Sequence, residues 1–188
     1  MLYLVRHGRT EANAGGRLQG RLDLPLDAEG RAQVEAVGRT IGTPDVVVCS
    51  SLLRARETAA VFGIEPIVDD RWIEMAYGDF EGLRMDDIPP EQWRQWSTDH
   101  DFAPAGGESL RSVAQRVFEA CEELQDTFGD RTVVVVSHAT PIKLAMAWAL
   151  SAPIDINWRT FIDQASITTV KMRNDRPVLT GFNLVPAR

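Results

Sequence analysis

Short apolar runs alternate along the chain with longer segments in which apolar residues recur every three or four positions. Five of the short runs predict β-strands: residues 2–6, 45–49, 132–137, 166–172 and 177–182. The first three runs show no polar alternation, which is typical of strands that are covered on both faces. The last two runs flank Asn174 and Asp175, and this arrangement predicts a hairpin.

Four segments between these runs predict α-helices: residues 27–41, 51–62, 108–128 and 141–150. Asp27 is the expected N-cap of the first helix, which should end at Gly42, and Ser50 or Ser51 is the expected cap of the second. The third helix has an apolar stripe, and the fourth is apolar nearly all round, so we expect it to be deeply packed. Strands that alternate with helices predict an α/β sandwich around a mostly parallel sheet, with ligands bound at the carboxyl ends of the strands.

Residues 76–107 interrupt this alternation with three prolines, four glycines and five aromatic residues. We interpret the segment as a small insertion that packs over the functional site as a lid or wall. A surface excursion with its own small cluster is an equal alternative. The role of Trp93 and Trp96 stays open: they can be core residues, or they can form an apolar wall that selects part of a substrate. The length of 188 residues favours one domain over residues 1–188.

Composition and charge exclude several classes of function. No apolar run approaches the ~18 residues that a membrane span needs, and no cleavable leader is present, so we expect a cytoplasmic protein without a membrane partner. Cys49 and Cys121 stand in apolar surroundings and are expected to be reduced core residues. The net charge of −7 argues against a nucleic-acid partner. Residues 1–21 nevertheless hold four arginines and one glutamate, which predicts a local site for a small anion.

Two of the three histidines follow predicted strands directly. His7 stands with Arg6 at the end of the first strand, and His138 stands at the end of the third. Because parallel strands bring their carboxyl ends to one edge of a sheet, the two imidazoles should face each other. Arg54 lies one turn into the helix that follows the second strand, at the same edge.

These residues, together with Glu74, permit phosphoryl transfer. Arg6 and Arg54 can grip a phosphoryl group, and their charges favour a neutral His7 whose ring nitrogen can attack phosphorus. His138 can donate to the equatorial oxygens of the transition state, and Glu74 can protonate the leaving alkoxide.

The segment Arg6-His7-Gly8-Arg9-Thr10-Glu11-Ala12-Asn13 resembles the R-H-G-x-T-x-x-N signature of the histidine phosphatase superfamily, the phosphoglycerate mutase-like proteins. The resemblance continues, in the order typical of the family, through residues 19–20, 26–30, 50–59, 74–82, 106–109 and 136–143. Ala139 and Thr140, which follow the second histidine, resemble the branch of α-ribazole phosphatases and broad-specificity phosphatases.

The resemblance implies a three-layer α/β/α sandwich with one antiparallel strand, and a phosphomonoester hydrolase that needs no metal or other cofactor. It implies that His7 carries the phosphoryl group, that Glu74 is the proton donor, and that Arg6, Arg54 and His138 complete the phosphate pocket. Asn13 and Gln19 match family positions near the phosphate. The Thr140 hydroxyl, with Ala139 beside it, could add a contact to phosphate or substrate.

Several alternatives stay open. Glu81 competes with Glu74 for the role of the acid. A cofactor-dependent phosphoglycerate mutase is a second enzyme hypothesis, but residues 84–105 are acidic where the longer mutases carry basic residues, which favours a hydrolase. A metal site built from His7, His138 and Glu74 is disfavoured by the adjacent arginines. A catalytically inactive anion-binding or regulatory module is the hypothesis of another class. The physiological substrate and the oligomeric state, for which a homodimer is one option, also stay open.

Overall fold

The computed structural model describes residues 1–174 and 176–187 and contains a six-stranded sheet with the strand order β3-β2-β4-β1-β5-β6. Its strands are β1 (Leu2–Arg6), β2 (Val46–Cys49), β3 (Ile67–Val68), β4 (Val133–Ser137), β5 (Ile167–Arg173) and β6 (Arg176–Leu184). Strand β5 is antiparallel to both of its neighbours, and every other pair is parallel. The mostly parallel sheet with one antiparallel strand is therefore confirmed. Asn174 begins the β5–β6 connection, and Asp175, also predicted there, lies outside the described residues.

The helices are α1 (Glu11–Ala14), α2 (Ala28–Ile41), α3 (Leu53–Ala59), α4 (Pro90–Thr98), α5 (Leu110–Phe128), α6 (Ala139–Leu150) and α7 (Ile156–Arg159). Asp27 caps α2 as predicted, because its carboxylate accepts the Gly30 N–H at 2.7 Å. The predicted serine cap of the helix at 51–62 is wrong. Helix α3 begins only after Leu52, which makes no side-chain cap, and residues 60–62 continue as a 3-10 turn. Helices α1, α4 and α7 were not predicted.

Two hydrophobic clusters cover the two faces of the sheet and create three layers. On one face, Leu4, Val48 and Val135 pack with α5 and α6. On the other face, alternate residues such as Val47 and Val134 pack with α2 and α3. Each fully buried Val or Leu contributes about 1.5–3 kcal/mol to stability, so this double coverage explains why β1, β2 and β4 are apolar without alternation. Among the described residues, no helix is long and apolar enough to cross a membrane.

Both cysteines are buried as free thiols, as predicted. Burial raises the pKa of the Cys49 thiol to about 11, and it raises the pKa of Cys121 further, because an apolar surrounding disfavours the thiolate. Cys49 is the last residue of β2 and packs in the cluster with α2 and α3, whereas Cys121 of α5 packs in the cluster on the other face of the sheet.

A close backbone contact fixes the loop that follows β1. A Cβ atom on Gly30 would collide with the backbone oxygen and nitrogen of Arg9, and one on Gly8 would come within 2.7 Å of the Gly30 oxygen. We expect Gly30→Ala to lower the free energy of unfolding by about 1–3 kcal/mol, because the backbone must shift to admit the methyl group. Urea unfolding measures the loss.

Gly15→Ala is the matched control, because Gly15 has a negative φ and its Cβ would find only ordinary contacts of 3.5 Å or more. Its effect should stay within about 0.5 kcal/mol. Equal stability of the Gly30→Ala and Gly15→Ala variants would show that the loop yields without cost.

Candidate active site

The two histidines of the sheet edge face each other, as predicted. His7 follows β1 and His138 follows β4, and these strands pair in parallel with Arg6 opposite Ser137. The ring centroids lie 5.1 Å apart, and both side chains are buried. The topology therefore brings together residues that are 131 positions apart in the sequence.

The hydrogen bonds of His7 leave one ring nitrogen free to react. Its Nδ1 lies 2.7 Å from the carbonyl oxygen of Gly8, so Nδ1 carries the proton and donates it. Nε2 is then unprotonated in the neutral ring and accepts a hydrogen bond from Arg54 Nε at 3.3 Å. Burial, then the charges of Arg54 and Arg6, hold the pKa of His7 well below its usual value. The imidazole is therefore neutral at pH 7, with a lone pair on Nε2.

His138 is neutral for the same reasons. Burial is the largest cause of its lowered pKa, followed by the charge of Arg54 and the neighbouring His7. Its Nδ1 accepts from Arg54 Nε at 3.2 Å, and its Nε2 lies 2.7 Å from the hydroxyl oxygen of Ser50. In this arrangement Nε2 carries the proton, and the Ser50 oxygen accepts it.

Arg54 is a fully buried cation between the two rings. Helix α3 delivers it, and its two terminal nitrogens donate to the carbonyl oxygens of Leu22 (2.9 Å) and Gly20 (2.7 Å). Burial lowers the pKa of Arg54 to about 10, so the guanidinium stays charged at neutral pH. Because all three nitrogens have partners, the position of the charge between the histidines is fixed.

Arg6 places a second guanidinium at the same edge. One terminal nitrogen donates to the Ile162 carbonyl oxygen at 2.6 Å, while its buried Nε has no protein partner among the described residues. Burial lowers the pKa of Arg6, and the nearby Glu74 carboxylate raises it. Arg6 is thus a partly unsatisfied cation beside His7, which suits an anionic ligand.

Glu74 lies against the N-terminus of α6. Its carboxylate accepts backbone N–H groups from Met75 (2.8 Å), Ala139 (3.1 Å) and Thr140 (3.3 Å). The Thr140 hydroxyl lies 3.4 Å from the Tyr77 hydroxyl. Glu74 therefore occupies the first two N–H groups of α6, and a ligand would meet the carboxylate before it meets these groups.

Glu81, the alternative acid, has a different setting. Its carboxylate accepts the backbone N–H groups of Arg21 (2.8 Å) and Tyr77 (3.2 Å), and it packs against Gly20. It holds two loops together and does not line the cavity, whereas Glu74 does. The geometry favours Glu74 over Glu81 as the acid.

Asn13 and Gln19 line the cavity and are joined through Thr10. The side-chain oxygen of Asn13 accepts from the Thr10 backbone N–H at 3.1 Å, and the side-chain oxygen of Gln19 accepts from the Thr10 hydroxyl at 2.7 Å. The amide nitrogen of Gln19 donates to the carbonyl oxygen of Leu22 at 3.2 Å. These bonds hold the loop after β1 beside the histidines.

A cavity of about 650 Å³ opens at this edge of the sheet. Of the site residues predicted from the sequence, all line it except His138, which is fully buried. Its aromatic lining consists of Tyr77, Trp93, Trp96, Trp158 and Phe161, of which the first three belong to the segment 76–107. That segment therefore supplies a side of the cavity.

The predicted cationic patch is divided in the structure. Arg6 and Arg17 line the cavity, but Arg9 pairs with Asp27 at 2.8 Å and Arg21 pairs with Glu108 at 3.0 Å. Only two of the four N-terminal arginines therefore line the cavity. Across residues 1–174 and 176–187, no group of three or more His, Cys, Asp or Glu side chains could hold a metal ion.

Three further polar groups at the site were missed from the sequence. Ser50 contacts His138, Tyr77 lines the cavity beside Thr140, and Lys143 of α6 lines the cavity on the same helix. Lys143 had a visible signal, because it is the only charged residue in a helix that is otherwise apolar or uncharged.

Comparisons with known proteins agree with this geometry. A family model described as the histidine phosphatase superfamily, branch 1, matches residues 2–185. Phosphoserine phosphatase 1 of Hydrogenobacter thermophilus is 34% identical over 193 residues, which cover 97% of this chain and 92% of that protein. Glucosyl-3-phosphoglycerate phosphatase of Mycolicibacterium vanbaalenii is 38% identical over 173 residues, which cover 84% of this chain and 76% of that protein.

A solved structure shows the same fold. Mycobacterial glucosyl-3-phosphoglycerate phosphatase in complex with VO3 superimposes with a TM-score of 0.88 at 34% identity, covering 97% of this chain and 98% of that one. The arrangement of strands and helices is therefore shared over nearly the whole chain.

Proposed function

Because the chain belongs to the histidine phosphatase superfamily, branch 1, we propose that it hydrolyses phosphate monoesters of small metabolites through a phosphohistidine on His7. The observation that carries the proposal is the unprotonated Nε2 of His7, held 3.3 Å from the charged Arg54 in a cavity lined by further cations. A phosphoryl group in that cavity meets a nucleophile and its charge-balancing groups at once.

The reaction has two steps. In the first, His7 Nε2 attacks phosphorus, the bond from phosphorus to the ester oxygen breaks, and Glu74 gives its proton to the leaving alkoxide. In the second, water attacks the phosphohistidine, Glu74 takes the water proton, and the bond from phosphorus to Nε2 breaks. Inorganic phosphate leaves, and both residues return to their starting states.

His138 can stabilise the transferred group through a change of tautomer. The Ser50 hydroxyl, 2.7 Å from His138 Nε2, can donate as well as accept. If Ser50 donates to Nε2, the proton of the neutral ring moves to Nδ1, which then no longer accepts from Arg54 Nε. Both N–H groups can then donate to equatorial phosphoryl oxygens. Arg6 and Arg54 supply the remaining charge.

We propose lesser roles for four residues at the rim. Asn13 and Gln19 position the loop that follows β1 and present amide groups to the phosphoryl oxygens. Ala139 and Thr140 hold Glu74 through their N–H groups, so they act on the acid before they act on the substrate.

A hydrolase is favoured over a mutase. A mutase must retain the phosphorylated product and return the phosphoryl group, whereas residues 84–105 carry more acidic than basic side chains. A panel of phosphorylated metabolites tests the choice by free-phosphate release. Isomerised product in place of free phosphate, with a bisphosphoglycerate primer present, would identify a mutase. Absence of turnover on the whole panel would identify an inactive anion-binding module.

Turnover is expected to survive chelators. Arg6, Arg54 and the two histidines can balance the phosphoryl charge without a cation. Prolonged treatment with EDTA, followed by assay with p-nitrophenyl phosphate, should leave kcat unchanged. Loss of activity that one added divalent metal restores would instead support a metal site.

Three expectations from the sequence stay predictions: one domain over residues 1–188 with 76–107 as its insertion, a cytoplasmic location, and a homodimer as an option. Support for the first is that both hydrophobic clusters pack on the same sheet. Sedimentation of the purified chain tests the oligomeric state.

A further inference from the structure

Lys143 is a cation of the cavity that the two-step reaction does not use. Its ammonium donates one hydrogen bond, to the backbone oxygen of Asn157 at 3.1 Å. Among the residues that the structure describes, it has no further acceptor and forms no ion pair with a carboxylate. An ammonium that is largely withdrawn from water and lacks a counter-ion is costly, unless a ligand supplies the negative charge.

The helix places Lys143 at a defined distance from the phosphoryl site. Lys143 follows Ala139 by four residues, so it lies one turn, about 6 Å, further along α6 on the same face. Long helical side chains point back towards the N-terminus, which here is the end that carries Glu74. The ammonium therefore faces the part of the cavity where the remainder of a small substrate extends from phosphorus.

The net charge of the cavity lining also favours a second negative group on the ligand. The lining contains four cations, Arg6, Arg17, Arg54 and Lys143, and one carboxyl group, Glu74, which leaves an excess of at least three positive charges with neutral histidines. A phosphate dianion balances two of these charges. The remaining excess favours a ligand with a further negative charge.

We propose that Lys143 binds a carboxylate of the substrate, so that the enzyme prefers phosphate monoesters that carry a carboxylate close to the phosphoryl group. The proposal rests on the proposed function and adds a specificity-determining residue to it. A carboxylate near phosphorus supplies both the missing counter-ion and the third negative charge.

The test compares two substrates that differ at one carbon. In 3-phosphoglycerate a carboxylate stands where glycerol 3-phosphate has a hydroxymethyl group. Wild-type kcat/KM should be at least about 10-fold higher for 3-phosphoglycerate at pH 6.5, and Lys143→Met should lower this ratio by about 10-fold. Lys171→Met, which changes the only other lysine, exposed on β5, should leave the ratio intact.

The pH dependence of the same ratio gives a second readout. Burial lowers the pKa of Lys143 to about 8; Glu74 raises this pKa and Arg6 lowers it. The titrations of the shared catalytic groups cancel in the ratio, which leaves that of Lys143. The ratio should therefore fall between pH 7 and pH 9 in the wild type and stay flat in Lys143→Met.

A wild-type ratio near one, or a ratio that Lys143→Met does not change, would overturn the proposal. Binding to the His7→Ala variant separates this outcome from a failure of the hydrolase assignment, because binding needs no turnover. Calorimetric titration with each compound should give a lower Kd for 3-phosphoglycerate, and adding Lys143→Met should remove the difference. Equal Kd values in His7→Ala would also overturn the proposal, whatever the enzyme hydrolyses.

Discussion

The His7→Ala variant is expected to lose the covalent intermediate and to lower kcat by at least about 10³-fold. His7 Nε2 is the ring nitrogen that is unprotonated and directed at Arg54, since Nδ1 donates to the Gly8 carbonyl. Within the described part of the chain the other ring of the site, His138, does not line the cavity, and its two ring nitrogens are hydrogen-bonded to Arg54 and Ser50. Removal of His7 therefore removes the first step of the reaction.

Rapid quenching of the wild type with labelled substrate, under conditions that avoid acid, measures the intermediate. The adduct should be acid-labile and base-stable, and it should map to His7. His100→Ala is the matched control, because the third histidine lies outside the cavity, and this variant should retain label and turnover. Label on His138, or full turnover by His7→Ala, would refute the assignment.

The long apolar runs made most of the sheet predictable. Strands β1, β2 and β4 are buried on both faces, and a continuous run of Val and Leu has few other uses in a chain of this composition. Strand β3 escaped prediction because it has two residues, Ile67 and Val68, both exposed at the edge of the sheet. So short a segment carries no periodicity.

The charged site residues were predictable for a different reason. A histidine or arginine at the end of a buried strand is costly unless it meets an anion, and Arg6, His7 and His138 stand in this position. The hydrogen bonds from the first N–H groups of α6 to the Glu74 carboxylate were not predictable. They depend on a loop that brings Glu74 to Ala139, 65 residues further along the chain. The local sequence around Glu74 contains no trace of that contact.

The helix at 51–62 shows how the site overrides local propensity. Ser50 is a good N-cap by residue type, but its hydroxyl is bound to His138 Nε2 at 2.7 Å. The helix therefore begins later, at Leu53, with no side-chain cap. The first turn of the helix therefore lacks the stabilisation of a side-chain cap, while the Ser50 hydroxyl orients the His138 imidazole.

Glu74→Gln is expected to lower kcat/KM for alkyl phosphates by about 10²–10⁴-fold, because an alkoxide leaves poorly without a proton. The same substitution should cost p-nitrophenyl phosphate less than about 10-fold, since that leaving group needs little protonation. The difference between the two losses is the diagnostic quantity. The comparison of two substrates is needed because the substitution also disturbs the site for any substrate. The new amide would turn an N–H towards the Ala139 N–H, which lies 3.1 Å from the Glu74 carboxylate.

The pH profile follows from the same requirement. The low pKa of His7 keeps the nucleophile neutral at mildly acidic pH, and departure of the alkoxide requires a proton that becomes scarcer as the pH rises. Alkyl phosphates should therefore be turned over best at mildly acidic to neutral pH, with a decline on both sides. With p-nitrophenyl phosphate the alkaline decline should be weaker, because the proton matters less.

Glu81→Gln is the control for the acid. Its carboxylate binds the backbone of Arg21 and Tyr77, so the substitution should lower the melting temperature more than it alters the preference between leaving groups. Equal losses on both substrates in Glu74→Gln would mean that Glu74 only positions the helix terminus. A loss confined to alkyl phosphates in Glu81→Gln would show that Glu81 is the acid. The geometry argues against that result, because Glu81 does not line the cavity.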